Sequence, residues 1–183
     1  MVLLVQYTSI FASVLALVAL GGCFSEHSGV INIGLEGIMV MGALGGALAM
    51  KFLPATTPGI VLFILIVLAS VLVGMAFSLL LGFAAIHFNA DQTLVGTALN
   101  LMGTAAAVVI VIAIKVAENP DNVSSTVVYR QAKQVFLVKI GDFEFNWFIL
   151  IIVLAIIASH IVLYRTKFGL RLCACGEHPQ AAD

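Results

Sequence analysis

Asn32 and Glu36 stand four residues apart in the most polar stretch of an otherwise apolar chain, Ser25 through Gly37, and on a helix they share one face. A carboxyl and a carboxamide inside a hydrocarbon layer cost free energy unless they face a protein interior or water, so both are candidates for a polar path. Gly29, Gly34 and Gly37 lie in the same stretch. They lower helical propensity and permit close backbone approach, as expected of a broken helix whose freed backbone groups line such a path. A purely structural role is also open, in which Glu36 hydrogen-bonds to a neighbouring helix and fixes packing. Asn100 and Thr104 repeat the four-residue spacing, with Gly96 four residues before Asn100. That small, polar stripe suits a helix contact or the same path. Asp91, Gln92 and Thr93, just ahead of it, suit an amino-terminal helix cap.

No constellation for catalysis or metal binding accompanies these residues. Cys173, Cys175 and His178 form a C-x-C-x-x-H pattern that lacks a fourth ligand and has no standard zinc spacing, so ordinary reduced thiols are expected. Glu36 has no His or Cys companion at helical spacing, which argues against an intramembrane enzyme. No catalytic residue, metal or cofactor is therefore assigned to the chain itself.

The elements that must position these groups follow from composition. Of 183 residues, 62% are hydrophobic and only 9% are charged, with a mean hydropathy of +1.19. Such a chain cannot cover itself with polar surface in water, which excludes a soluble enzyme, a nucleic-acid binder and a disordered linker. Measured against roughly 20 residues per membrane crossing, the uncharged runs give five spans. They are Val2 to Phe24, Ile33 to Met50, Ile60 to about Phe88, Leu94 to Ile114, and a fifth within Phe145 to Tyr164. Solid apolar blocks rather than alternation exclude a β-barrel. The predicted fold is all-α, a polytopic transmembrane helix bundle, with the second span discontinuous. Gly42 and Gly46 in the second span, and Gly74, Ser78 and Gly82 in the third, are small residues spaced by four that permit tight helix packing.

Leu20-Gly21-Gly22-Cys23 resembles a lipoprotein cleavage box, but no Lys or Arg precedes the apolar run and the chain re-enters the membrane within about ten residues. Arg165, Lys167 and Arg171 place residues 165–183 in the cytoplasm. The connection 115–146 balances four basic against four acidic residues, as an external segment permits. Five full spans would put the amino terminus outside, whereas a re-entrant or discontinuous second segment would put it inside. Within the connection, Val135 to Phe145 suits a hairpin about Gly141-Asp142 or an amphipathic surface segment.

Three stretches together resemble one known family. The run from Gly21 to Met39, centred on Ser25-Glu26-His27-Ser28-Gly29-Val30-Ile31-Asn32-Ile33-Gly34-Leu35-Glu36-Gly37, resembles the signature of permease subunits of bacterial ABC importers in the nucleoside and simple-sugar branch. That branch lies within the branched-chain amino acid and ribose permease superfamily. Asp91 to Leu101 is similar to its second signature and Tyr164 to Asp183 to its third. The resemblance implies residues 1–183 as a single transmembrane permease domain without catalysis of its own, in the bacterial inner (plasma) membrane. It implies as partners the lipid bilayer, a second permease subunit, an external substrate-binding lipoprotein and a cytoplasmic ABC ATPase that holds ATP and Mg. It further implies that 165–183 is the cytoplasmic coupling segment. A short helix through Gly176, Glu177, His178, Pro179, Ala181 and Ala182 would dock on the ATPase, with Gly176 and Pro179 turning into it.

His27 and Cys173 stand where the family usually has Arg, and the chain stops inside the coupling motif, so about the amino-terminal three-fifths of a permease is expected. The Glu-Gly variant of the first signature leans toward nucleosides, purine nucleosides foremost, and a nucleobase would suit stacking on Phe77 or Phe83. Simple-sugar or branched-chain amino acid import are the alternatives within the family. A proton- or sodium-coupled secondary transporter using Glu36 or Asp91 is the alternative outside it.

Overall fold

The computed structural model describes residues 2–54, 56–127, 137–140, 143–178 and 180. Its elements run α1 (Val2–His27), α2 (Leu35–Phe52), α3 (Gly59–His87), α4 (Gln92–Glu118), β1 (Leu137–Ile140), β2 (Phe143–Asn146), α5 (Trp147–Arg165) and α6 (Lys167–Glu177). Among the described residues, α1 to α4 are each long and apolar enough to cross a membrane, and α5 with α6 form a further candidate bent by 69°. The chain divides into two compact units, one of residues 33–135 and one of residues 1–32 with 136–183.

The first of these units is built on α2, α3 and α4. Thr57 ends the loop before α3 by donating its N–H and its hydroxyl to the Pro54 carbonyl, at 3.1 and 2.7 Å. Helix α3 closes at Asn89, whose left-handed φ of 48° is a conformation asparagine tolerates better than most residues. Asp91 then caps α4, its Oδ1 accepting from the N–H groups of Thr93 at 2.8 Å and Leu94 at 3.1 Å. At 29 residues α3 is about 44 Å long, well beyond the hydrocarbon thickness, and a tilted crossing accommodates it.

Helices α2 and α3 run antiparallel, with Gly42 facing Gly74 and Gly46 facing Ser70. Helices α2 and α4 run parallel, joined at Gly37, near the start of α2, and Gly103, midway along α4, and at their ends by Lys51 Nζ and Glu118 Oε1, 2.7 Å apart. Between these contacts lie two apolar clusters. One holds Leu44, Ala107 and Val111; the other holds Phe77, Leu81 and Leu99, with Ile38, Met41 and Val95 packed on it.

The discontinuity expected at the second span falls in the polar stretch ahead of its helix. Helix α2 is continuous for its 18 residues, and the irregular backbone is the segment 28–34 ahead of it. Gly29 sits at φ +80° there, where a side chain would be strained. Gly37 is compatible with the helix because a partner helix fills the space its missing side chain leaves.

In the other unit α1 packs against α5, α6 and β2. Strands β1 and β2 pair antiparallel, Leu137 opposite Asn146 and Ile140 opposite Phe143. This is the hairpin alternative for the connection; Gly141 and Asp142 lie outside the described residues. Between α5 and α6 the chain turns at Thr166, whose Oγ1 accepts from the Gly169 N–H at 3.3 Å. Gly169 is buried in this elbow, and a Cβ there would strike the Leu163 carbonyl.

Candidate transport site

The polar residues at the start of α2 are organised by a side chain from α4. Gly34 occupies the cap position of α2 and offers no side-chain hydrogen bond, so the first amides of the helix need other partners. Asn100 supplies one: its Oδ1 accepts from the Gly37 N–H at 2.7 Å, while its Nδ2 donates to the Ile33 carbonyl at 2.8 Å. One carboxamide thus clasps the backbone on both sides of the helix start, matching a donor and an acceptor that would otherwise lack partners. Glycines make the approach possible. A Cβ at Gly37 would lie 2.9 Å from Asn100 Cα, one at Gly103 2.8 Å from Gly37 Cα, and one at Gly96 2.9 Å from Gly34 N.

This geometry separates residues that sequence spacing had grouped. Asn100 positions the entry to α2 and spends its amide on backbone. Thr104, one turn on, is exposed and donates only to its own helix, to the Asn100 and Leu101 carbonyls at 3.0 Å each. Glu36 is exposed in the first turn of α2 and has no hydrogen-bond or ionic partner among the described residues. Its charge suits the positive end of the helix dipole. Asn32, at the end of the other unit, has a buried Oδ1 with no hydrogen-bond partner among the described residues. Phe77 is only 8% exposed and belongs to the apolar core of its unit, which removes it as a stacking surface. Phe83 is 53% exposed and stacks on His87 with ring centroids 4.3 Å apart.

Of the five small residues expected at helix contacts, Gly42, Gly46 and Gly74 lie between α2 and α3. Ser78 returns its hydroxyl to the Met75 carbonyl at 2.8 Å. Gly82 has open space where a Cβ would stand, with no described atom within 4 Å. The contact stripe turns instead toward Gly45, which meets Val73 and Ala69. Gly96, expected at a helix contact from its spacing to Asn100, and Gly37, expected to permit close approach, both meet a partner's backbone; Gly103 is the packing position that four-residue spacing missed. Gly103 lies seven residues, two helical turns, after Gly96, and that spacing could have found it.

Around the third motif, Gly176 and Glu177 belong to the helix α6 that leads into the stretch where the short docking helix is expected. Gly176 and Glu177 form the last turn of α6, and His178 caps it by donating its N–H to the Ala174 carbonyl at 2.9 Å. The following residue is proline, which disfavours helix at the position before it. Pro179, Ala181 and Ala182 lie outside the described residues. Cys23, Cys173 and Cys175 are free thiols, and among the described residues no group of three or more His, Cys, Asp or Glu could hold a metal.

Membrane-length helices that expose apolar side chains define a multi-pass membrane protein. The chain belongs to the family described as the branched-chain amino acid transport system permease component, matching it over residues 4–183. It is 39% identical to the guanosine ABC transporter permease protein NupQ of Bacillus subtilis, over 99% of this chain and 58% of that protein. It is 35% identical to the nucleoside ABC transporter permease protein NupC of Lactococcus lactis, over 95% of this chain and 56% of that one. A putative glucose ABC transporter permease protein of Haloferax volcanii is 31% identical, over 94% and 51%. The chain therefore spans little more than half the length of these relatives. No solved structure matches it.

Proposed function

We propose that this chain forms part of the transmembrane pathway of an ATP-driven importer of nucleosides, purine nucleosides foremost. The observation that carries this reading is the identity, over nearly the whole chain, with a permease named for guanosine and another named for nucleosides. The chain is a transport subunit without catalysis of its own. A cytoplasmic ABC ATPase hydrolyses ATP with Mg, an external binding lipoprotein delivers substrate, and a second permease subunit completes the pathway. Residues 165–183 lie on the cytoplasmic side and 115–146 outside.

Within the pathway, the carboxyl of Glu36 accepts hydrogen bonds from the substrate, and the buried amide oxygen of Asn32, in the other unit, is a separate acceptor. Ribose hydroxyls are donors of the right kind. Asn100 holds the backbone that presents Glu36, and Thr104 lies on the same helix without a side-chain link to α2. The segment 176–182, at the end of α6 and beyond, engages the ATPase.

The test is uptake of labelled guanosine into vesicles holding the complete transporter, with and without ATP and with a protonophore. ATP-dependent uptake indifferent to the protonophore is expected. Uptake that follows an ion gradient without ATP refutes the reading in favour of a secondary transporter, and ATP-driven uptake of glucose alone moves the substrate to sugars. Glu36→Gln removes the charge while keeping shape, and a roughly tenfold loss of uptake with normal membrane assembly is expected for one lost charge-assisted bond. Unchanged uptake takes Glu36 out of the path.

A further inference from the structure

Helix α6 is joined to the end of α1 by main chain against main chain. A Cβ built on Gly176 would lie 2.5 Å from the His27 carbonyl oxygen and 2.9 Å from Gly29 N; one built on Gly29 would lie 3.0 Å from Gly176 Cα. The atoms in the way are backbone, so neither position accepts a side chain by moving a rotamer aside. Gly29 is also held at φ +80°. A second contact lies beside this one. The Tyr164 hydroxyl is 3.4 Å from His27 Nε2, the rings meeting edge to face, and His27 Nδ1 is 2.8 Å from the Cys23 carbonyl of its own helix. At its other end α6 is held to α5 by the Gly169 elbow, where the Leu163 carbonyl fills the place of a side chain.

We propose that α1, α5 and α6 form one rigid lever, locked by the Gly176 to His27–Gly29 seam, so that a displacement applied to α6 moves residues 28–32 directly. A helix fixed at both ends by backbone contact has little freedom to pivot, because packed interfaces switch between discrete arrangements rather than deform continuously. Residues 28–32 are non-helical, and the N–H groups of Gly29 and Val30 donate to the Glu26 and Ser25 carbonyls at 3.0 and 3.1 Å, so the segment is tied to the end of α1 and moves with the lever. The functional arm of this inference rests on the import reading, with force arriving at α6 from the ATPase; the joint itself does not.

The test uses the full-length permease with its ATPase in lipid nanodiscs, in versions that keep Cys173 or Cys175 as the sole thiol. Cys173 is half-buried on the docked face of α6 and Cys175 is exposed. Gly176→Leu is expected to raise maleimide labelling of Cys173 roughly tenfold, toward the rate at Cys175, as α6 is levered off α1. The same variant is expected to lose roughly tenfold in ATP-driven guanosine uptake while ATP hydrolysis continues. Gly176→Ala moves both readouts the same way by less, and carries the test if the leucine variant fails to assemble. Ala174→Leu adds bulk on the exposed side of α6 and leaves Cys173 labelling unchanged. Unchanged Cys173 labelling in both Gly176 variants overturns the joint, and raised labelling with full uptake overturns the lever. Absence of ATP-driven uptake in the unsubstituted complex overturns the import reading, with labelling still deciding the joint.

Discussion

Replacing Asn100 by alanine removes both halves of the clasp at once, leaving the Gly37 N–H and the Ile33 carbonyl without their 2.7 and 2.8 Å partners. Gly37 is buried, so its amide cannot turn to water instead. Side-chain hydrogen bonds within membrane proteins average about 0.6 kcal/mol and reach about 1.7 kcal/mol, while an orphaned buried amide costs about 1–3 kcal/mol. Together these give a loss of roughly 2–4 kcal/mol. At about 2–4 °C per kcal/mol, the full-length permease purified in detergent should lose roughly 4–16 °C in thermal stability. Two companions separate the clasp from mere bulk. Thr104→Val, one turn away, removes a hydroxyl bonded only within its own helix and should change stability by less than about 0.5 kcal/mol. Asn100→Asp keeps the acceptor for Gly37 but sets a carboxylate oxygen against the Ile33 carbonyl, and should be no better than alanine. A drop of less than about 1 °C for Asn100→Ala, or equal drops for Asn100→Ala and Thr104→Val, would refute the argument that this amide carries the entry to α2.

Glycine substitutions should split by their surroundings. Gly37→Ala pushes a methyl into α4 backbone, 2.9 Å from Asn100 Cα, and should destabilise by roughly 2–3 kcal/mol. Gly82→Ala meets nothing and should stabilise by about 0.5–1 kcal/mol through helix propensity; thermal unfolding of the two variants checks both signs. At the head of α4, Asp91→Ala leaves the Thr93 and Leu94 amides uncapped and should cost about 1 kcal/mol, whereas Asp91→Asn, which still caps, should cost much less. Equal losses from the two Asp91 variants would show that the charge rather than the cap matters.

The amino-acid sequence by itself determined the helices, their order and the Asp91 cap, because each follows from properties read along one dimension. Uncharged runs of membrane length have no other way to satisfy their backbone, which fixes α1 to α4 near the spans expected from composition. The cap is equally local, since Asp91 reaches amides only two and three residues away. The turn residues Gly141 and Asp142 between alternating apolar positions likewise announced the β1–β2 hairpin as one of two possibilities. What spacing could not supply was the direction in which each face looks. Asn100 and Thr104 share a face by count, yet only Asn100 has the α2 backbone within reach. Gly74 and Gly82 share a stripe, but α2 passes beside Gly74 and leaves Gly82 in the open. Phe77 and Phe83 lie on one helix, and the packing of α4 buries the first and leaves the second exposed. In a chain apolar on every side, periodicity does not mark which stripe is inward. That choice was made only when three helices met, because a partner's backbone, 63 residues away in the case of Gly37 and Asn100, decides which small residue must be small and which amide has something to hold.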